Sequence, residues 1–232
     1  MNFVFDVDGT LTPSREKIDS EFHDFFLKFC ENQTVYLITG SDYEKTVEQL
    51  GEKICNAVEG VFNCSGNMLT RRGVVMYMND FELLDTERIM LESELRTSGF
   101  HVRTGNHIEK RIGCVNFSIV GRNATKIERE QYKVWDEATY ERRRICDILN
   151  SMFTRLECVV GGETGIDIFL KGKDKSQIVK YVKPFMFFGD RCEVGGNDRT
   201  IFVLANRGHW VKDWQNTYRI LKEITNVGTE KA

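Results

Sequence analysis

Three runs of consecutive apolar residues constrain the fold more than any other feature of the chain. They are Phe3-Val4-Phe5, Val35-Tyr36-Leu37-Ile38 and Phe185-Met186-Phe187-Phe188. A strand with one wet face alternates apolar and polar residues. These runs do not alternate, so they belong in a sheet covered on both sides. Helical patterns lie between them. Phe22, Phe25, Phe26 and Phe29 recur at i, i+3, i+4 and i+7, which puts four rings on one helix face. Asp42 opens a second helical stretch that Gly51 stops, and Ala57 to Phe62 reads as a third strand. Strand, helix, strand, helix, strand predicts a parallel sheet with crossover helices.

The pattern changes in the middle of the chain. Residues 81–98 read as a charged helix. Val102 to Val120 holds short extended segments broken at Gly105-Asn106 and Gly113. Thr125 to Met152 reads as one long helix, followed by extended segments at Leu156–Val160 and Ile166–Leu170. This is the pattern of an antiparallel sheet with helices on one face. The first pattern then returns, with a helix at Lys175–Val182, the strand Phe185–Phe188, the apolar run Ile201-Phe202-Val203 and a last amphipathic helix carrying Trp214, Ile220, Leu221 and Ile224. The expected fold class is α/β: a parallel-sheet core, residues 1–78 and 173–232, interrupted by an α+β insert, residues 79–172, that contains an antiparallel sheet.

Composition narrows the partners. Thirty-two basic against 35 acidic residues give a net charge of −3, which offers nucleic acid no electrostatic footing. No apolar run approaches the ~20 residues of a membrane helix. The first residues, Met1 to Asp6, have no basic segment before an apolar core, so a secretory signal is not expected. Seven cysteines without a CxxC pair read as reduced thiols in a cytoplasm rather than as a disulfide framework.

The chemistry gathers where apolar runs end. Asp6 and Asp8 leave the first run together in Asp6-Val7-Asp8-Gly9-Thr10. Gly189-Asp190 ends another, and Asn197-Asp198 follows in the same loop. Ligands of open parallel sheets bind outside the carboxyl ends of the strands. Oxygen ligands there suit Mg²⁺, which commonly works beside a substrate phosphate. Thr39 and Ser41, after the second run, can donate to a phosphoryl oxygen, and Lys175 can supply a positive charge.

These residues, in this order, resemble the four motifs of the haloacid dehalogenase superfamily of phosphotransferases. FDVDGTLTPSR, GSDYEKTVEQLG, NFSIVGR, IER, GIDIF and FFGDRCEVGGND further resemble the eukaryotic-type phosphomannomutase family over almost the whole chain. The resemblance implies a Rossmann-like core with a type-two (C2B) cap. It implies a nucleophile at Asp6 and a general acid and base at Asp8. Lys175 would hold the nucleophile and the phosphoryl group. Asp6, the Asp8 carbonyl and Asp190 would hold Mg²⁺, supported by Asp198 and Asn197. Ser41 is the hydroxyl the mutase resemblance favours, and Thr39 the one a generic superfamily member would use. Arg111, Arg122 and Arg129 match the cap arginines that grip the distal phosphate, and Arg15 matches a core arginine near the hinge. Asp167 matches a sugar contact, and Asn116 lines the same region. Arg142-Arg143-Arg144 read as a solvated helix face.

The activity implied is interconversion of mannose 6-phosphate and mannose 1-phosphate through an aspartyl-phosphate, with a hexose 1,6-bisphosphate activator. A homodimer formed through the cap is implied as well. Four positions depart from the family: Gly165 in place of a serine that touches sugar, Lys173 for tryptophan, Leu170 for proline and Thr39 for glycine. Sugar-phosphate phosphatase and phosphoglucomutase activity therefore stay open as alternatives.

Overall fold

The computed structural model describes residues 1–229. The chain forms two compact units, Met1–Met78 with Gly172–Ala232, and Asn79–Lys171.

The first unit begins with β1 (Asn2–Phe5), α1 (Ser20–Asn32), β2 (Val35–Ile38), α2 (Tyr43–Ala57) and β3 (Gly60–Asn63), then a hairpin of β4 (Met68–Arg71) and β5 (Val74–Met78). Asp19 caps α1, its carboxylate accepting from the amides of Glu21 and Phe22. Phe22, Phe26 and Phe29 are buried as their spacing predicts, and Phe26 meets Phe5 of β1 edge-on at 5.1 Å. Phe25 lies partly buried at the margin of this row, against Tyr218. Gly51 does not stop α2. It takes φ +81°, kinks the helix, and the helix resumes to Ala57. The third strand therefore starts at Gly60 rather than Ala57.

The second unit holds α3 (Asp85–Thr97), β6 (Ile108–Arg111), β7 (Cys114–Phe117), α4 (Lys126–Thr139), α5 (Glu141–Met152), β8 (Leu156–Gly161) and β9 (Gly165–Leu170). The long helix expected from Thr125 to Met152 is two helices, because Tyr140 between them sits in the left-handed region at φ +54°. Strand order is β6-β7-β9-β8, antiparallel throughout. One face supplies Val115, Phe117, Ile166 and Ile168 to a core shared with Leu91, Tyr132, Ile145 and Leu149. On the other face Glu109, Asn116 and Asp167 stand in one cross-strand row.

The chain then returns to the first unit. Residues Lys175–Ile178 are a 3₁₀ turn rather than α-helix, and lead into α6 (Val179–Val182). Next come β10 (Phe185–Gly189), α7 (Arg199–Phe202), β11 (Arg207–Trp210) and α8 (Trp214–Thr229). The apolar run at 201–203 falls largely in α7, whereas the polar edge strand β11 has no such signature. The sheet runs β11-β10-β1-β2-β3-β4-β5, with the first five strands parallel and the hairpin antiparallel. β1 and β10 pair at its centre, Phe5 beside Phe188. Among the described residues, no helix is long and apolar enough to cross a membrane.

Candidate active site

The pairing of β1 with β10 fixes the site. The Asp6 amide donates to the Phe188 carbonyl at 2.9 Å, so Asp6 and Asp190 emerge side by side from the carboxyl ends of neighbouring strands. Asp198 returns to them from the loop before α7. Carboxylate oxygens of Asp6, Asp190 and Asp198 lie within 4.8 Å of one another. Gly9 takes φ +78°, and a Cβ there would sit 2.3 Å from Asp190 Oδ2. Only glycine lets this carboxylate lie against the loop that follows Asp8.

Lys175 ties the cluster together. Its Nζ donates to Asp6 Oδ1 at 2.5 Å and to Asp198 Oδ1 at 2.7 Å. Lys175 is 2% exposed and Asp198 fully buried. Burial alone would strip the lysine of its proton, but Asp198 and Asp6 hold the ammonium and push its pKa upward. Burial, then the charge of Asp198, raises the Asp6 carboxyl well above its ordinary value, against the pull of Lys175. Asp190 is pushed up to about 6, by burial first and Asp198 second. Three carboxyl groups against one ammonium give a largely buried cluster rich in oxygen donors. That donor set fits a hard divalent cation such as Mg²⁺. Asn197 is exposed in the turn before Asp198.

Asp8 is half-buried and turned to different partners. Its Oδ1 accepts from the Arg15 amide at 2.7 Å and from Gln49 Nε2 at 3.0 Å. Arg15 itself is exposed, with φ +63°. After β2, Thr39 Oγ1 accepts from the Ser41 amide at 3.1 Å, and Thr39 is 1% exposed while Ser41 is half-buried. The Thr39 oxygen thus shapes the turn, and Ser41 is the more accessible hydroxyl.

In the second unit the sheet's polar face carries the other expected residues. Glu109 Oε2 accepts from Arg111 Nε at 2.9 Å and Nη2 at 2.6 Å, and lies 3.0 Å from Arg122 Nε. Arg129, in the first turn of α4, pairs with Glu163 at 3.0 Å. Burial lowers the pKa of Arg122, and the positive charge of Arg111 lowers it further, with Arg129 adding to the effect. Three guanidinium groups thus share one field. Asn116 Nδ2 donates to Asp167 Oδ1 at 2.6 Å. A Cβ on Gly165 would come within 2.6 Å of Asn116 Nδ2, so the glycine makes room for that pair.

Several contributors escape a reading of residue types. Gln49 is 2% exposed and bonds Asp8, yet in sequence it is an ordinary helical glutamine. Glu109 is signalled only by alternation with Arg111. Arg142 is not a solvated side chain: it pairs with Asp136 at 2.8 Å and donates to the Gly162 carbonyl at 3.0 Å, while Arg143 stays exposed.

Comparison with known proteins places these observations in a family. Residues 22–227 match the family model described as eukaryotic phosphomannomutase. The chain is 31% identical to the phosphomannomutase of Triticum aestivum, over 95% of this chain and 94% of that protein. It is 31% identical to the phosphomannomutase of Saccharomyces cerevisiae, over 97% and 94%. Solved structures share the fold at lower identity. An IMP-nucleotidase of Plasmodium falciparum superposes with a TM-score of 0.67 at 17% identity, over 97% of this chain and 68% of that one. A haloacid dehalogenase-like hydrolase from Bacteroides thetaiotaomicron gives 0.61 at 13%, over 96% and 98%. On the strength of the sequence match across both units, the chain belongs to the eukaryotic phosphomannomutase family.

Proposed function

We propose that the chain is a Mg²⁺-dependent phosphomannomutase that interconverts mannose 6-phosphate and mannose 1-phosphate, with a hexose 1,6-bisphosphate as activator. The observation that carries this is a full phosphoryl-transfer cluster in one unit and a set of three arginines in the other. A phosphatase handles one phosphate. A mutase must also hold a second that does not react, and guanidinium groups suit that task.

Asp6 is the nucleophile. One of its oxygens bonds to phosphorus as the bond from phosphorus to the sugar oxygen breaks, giving an aspartyl-phosphate. The electron pair of the broken bond stays on the sugar oxygen, which takes a proton from Asp8. In the return step Asp8 recovers a proton from the other sugar hydroxyl as that oxygen attacks the phosphoryl group. Lys175 holds the Asp6 carboxylate in place and adds positive charge beside the transferred group. Ser41 donates to a phosphoryl oxygen, over a turn that Thr39 braces. Asp6, the Asp8 carbonyl and Asp190, supported by Asp198 and Asn197, would hold Mg²⁺, which supplies positive charge against the equatorial oxygens. Arg111, Arg122 and Arg129, with Arg15, bind the phosphate that stays on the sugar. Asp167 and Asn116 contact sugar hydroxyls beside Gly165.

A homodimer through the second unit accords with exposed apolar side chains on one face of α4, Ile127 and Val134, which are 73% and 59% exposed. A reducing cytoplasm accords with buried thiols. Burial raises Cys55, Cys146 and Cys192 to about 12, which leaves them unreactive. Residues 1–78 and 173–232 form the catalytic core in this reading, and residues 79–172 the cap.

The experiment is incubation with mannose 1-phosphate and a trace of bisphosphate, with mannose 6-phosphate and free phosphate both measured. Mannose 6-phosphate is the expected main product. Free phosphate as the main product would overturn the mutase reading, and a preference for glucose 1-phosphate would reassign the sugar. Asp6→Asn should abolish both products.

A further inference from the structure

We propose that Gln49 is a positioning residue for Asp8, holding one carboxylate oxygen so that the other exchanges the proton with the sugar. The inference rests on the assignment of Asp8 as general acid and base. Among the described residues, the two donors that reach the Asp8 side chain, the Arg15 amide and Gln49 Nε2, both go to Oδ1. Two N–H donors on one oxygen fix the rotation of the carboxylate and leave the other oxygen free to face a substrate. Oδ2 is left to take the proton. It gives that proton to the sugar oxygen as the phosphorus–oxygen bond breaks, and recovers one from the attacking hydroxyl on return.

The glutamine is itself constrained. Its second amide hydrogen goes to Thr12 Oγ1 at 3.2 Å. A carboxylate can accept but not donate, so the amide nitrogen rather than Oε1 must face Asp8. Oε1 is buried and has no hydrogen-bond partner among the described residues. An orphaned buried carbonyl costs stability. A side chain kept for packing alone would have no need of that cost.

The backbone carries the same geometry. α2 is kinked at Gly51, and the Gln49 carbonyl just before the kink accepts from the Ile18 amide at 2.9 Å. That bond ties the loop following Asp8 to the helix that carries Gln49. Within the loop, Arg15 sits at φ +63°, a region costly for a residue with a Cβ. Its amide is one of the two donors. Kink, tether and strained residue converge on a single oxygen atom.

The test uses leaving groups. A sugar oxygen needs a proton to depart, whereas a nitrophenolate does not. Gln49→Met removes the donor and keeps a buried chain of similar length. We expect kcat with mannose 1-phosphate to fall about 10- to 100-fold, the scale of a misplaced catalytic group, with KM within about threefold. Single-turnover release of nitrophenolate from p-nitrophenyl phosphate should change less than about threefold. An equal fall for both substrates, or no fall for either, overturns the proposal. In an Asp8→Asn background Gln49→Met should add no further loss, and an additive loss also overturns it. Thermal unfolding checks both proteins, and Gln49→Leu, which also removes the donor, carries the comparison if the methionine variant does not fold. Full hexose-phosphate turnover by Asp8→Asn alone would instead refute the role of Asp8, a failure separate from that of Gln49.

Discussion

Lys175→Met tests the charge logic of the core directly. The substitution removes one ammonium and keeps most of the buried stem. Asp6 and Asp198 lose the donor that reaches them at 2.5 and 2.7 Å, in a place where Lys175 is 2% exposed. Removing one partner of a buried ion pair costs about 3–5 kcal/mol. For a chain of this size that is a fall in Tm of roughly 6–20 °C. The loss depends on pH with a definite sign. The carboxyls of Asp6 and Asp190 already bind protons more tightly in the fold than in the unfolded chain, Asp190 up to about 6. Groups of this kind favour the fold while they are protonated, so stability declines as pH rises through their raised values. Without Lys175 the decline should steepen, and the variant should lose most at pH 8 and least near pH 4. The assay is thermal unfolding of both proteins in chelator across that range. Asp198→Asn in the same background should recover part of the loss, because it removes a charge left without its partner. A Tm within about 2 °C of the parent at pH 8, or a loss that grows toward acid, would refute the reasoning.

Three further outcomes follow from the same geometry. Arg122→Ala should raise KM for hexose phosphates about 10- to 100-fold, the equivalent of a charged hydrogen bond lost. Arg143→Ala, an exposed pair with Asp147, should leave KM alone, and equal effects would contradict the assignment. Mg²⁺ must compete with protons for Asp190, so its affinity, read by calorimetry, should climb from pH 5 to pH 7 and then level off. A flat or falling affinity over that interval would argue against Asp190 as a ligand. Gly165→Ser should push Asn116 away from Asp167 and destabilise the protein by about 1 kcal/mol. An unchanged Tm would show that the side chain has room after all.

Legibility in the sequence followed physical range. The apolar runs of β1, β2 and β10 announced a doubly covered sheet, because burial on both faces leaves no polar position to confuse the pattern. The carboxylates at their ends were readable for the same reason, since an acidic residue directly after such a run has few structural uses. Other features depended on backbone conformation. Tyr140 at φ +54° divides a pattern that looks like continuous helix, and nothing in a tyrosine signals a left-handed residue. Gly51 was recognisable as a break, but whether a helix stops or kinks depends on what packs after it. Still others depended on long-range pairing. Gln49 reaches Asp8 across 41 positions, and Arg142 reaches the Gly162 carbonyl across 20. β11 pairs through its backbone at a sheet edge, where side chains are free to be polar.

The central pairing of β1 with β10 has a consequence for how the protein comes into being. Asp6 and Lys175 are separated by 169 positions. At a synthesis rate of about 5–20 residues per second, the aspartate waits roughly 8–34 s for its lysine. During that interval β1 lacks its neighbour, and its apolar edge is open to other strands in the cell. A chain cut short anywhere before Lys175 would carry the first acidic motif with no ammonium to set beside it. Arrival of the late segment closes the exposed edge of β1 and brings the ammonium to the aspartate.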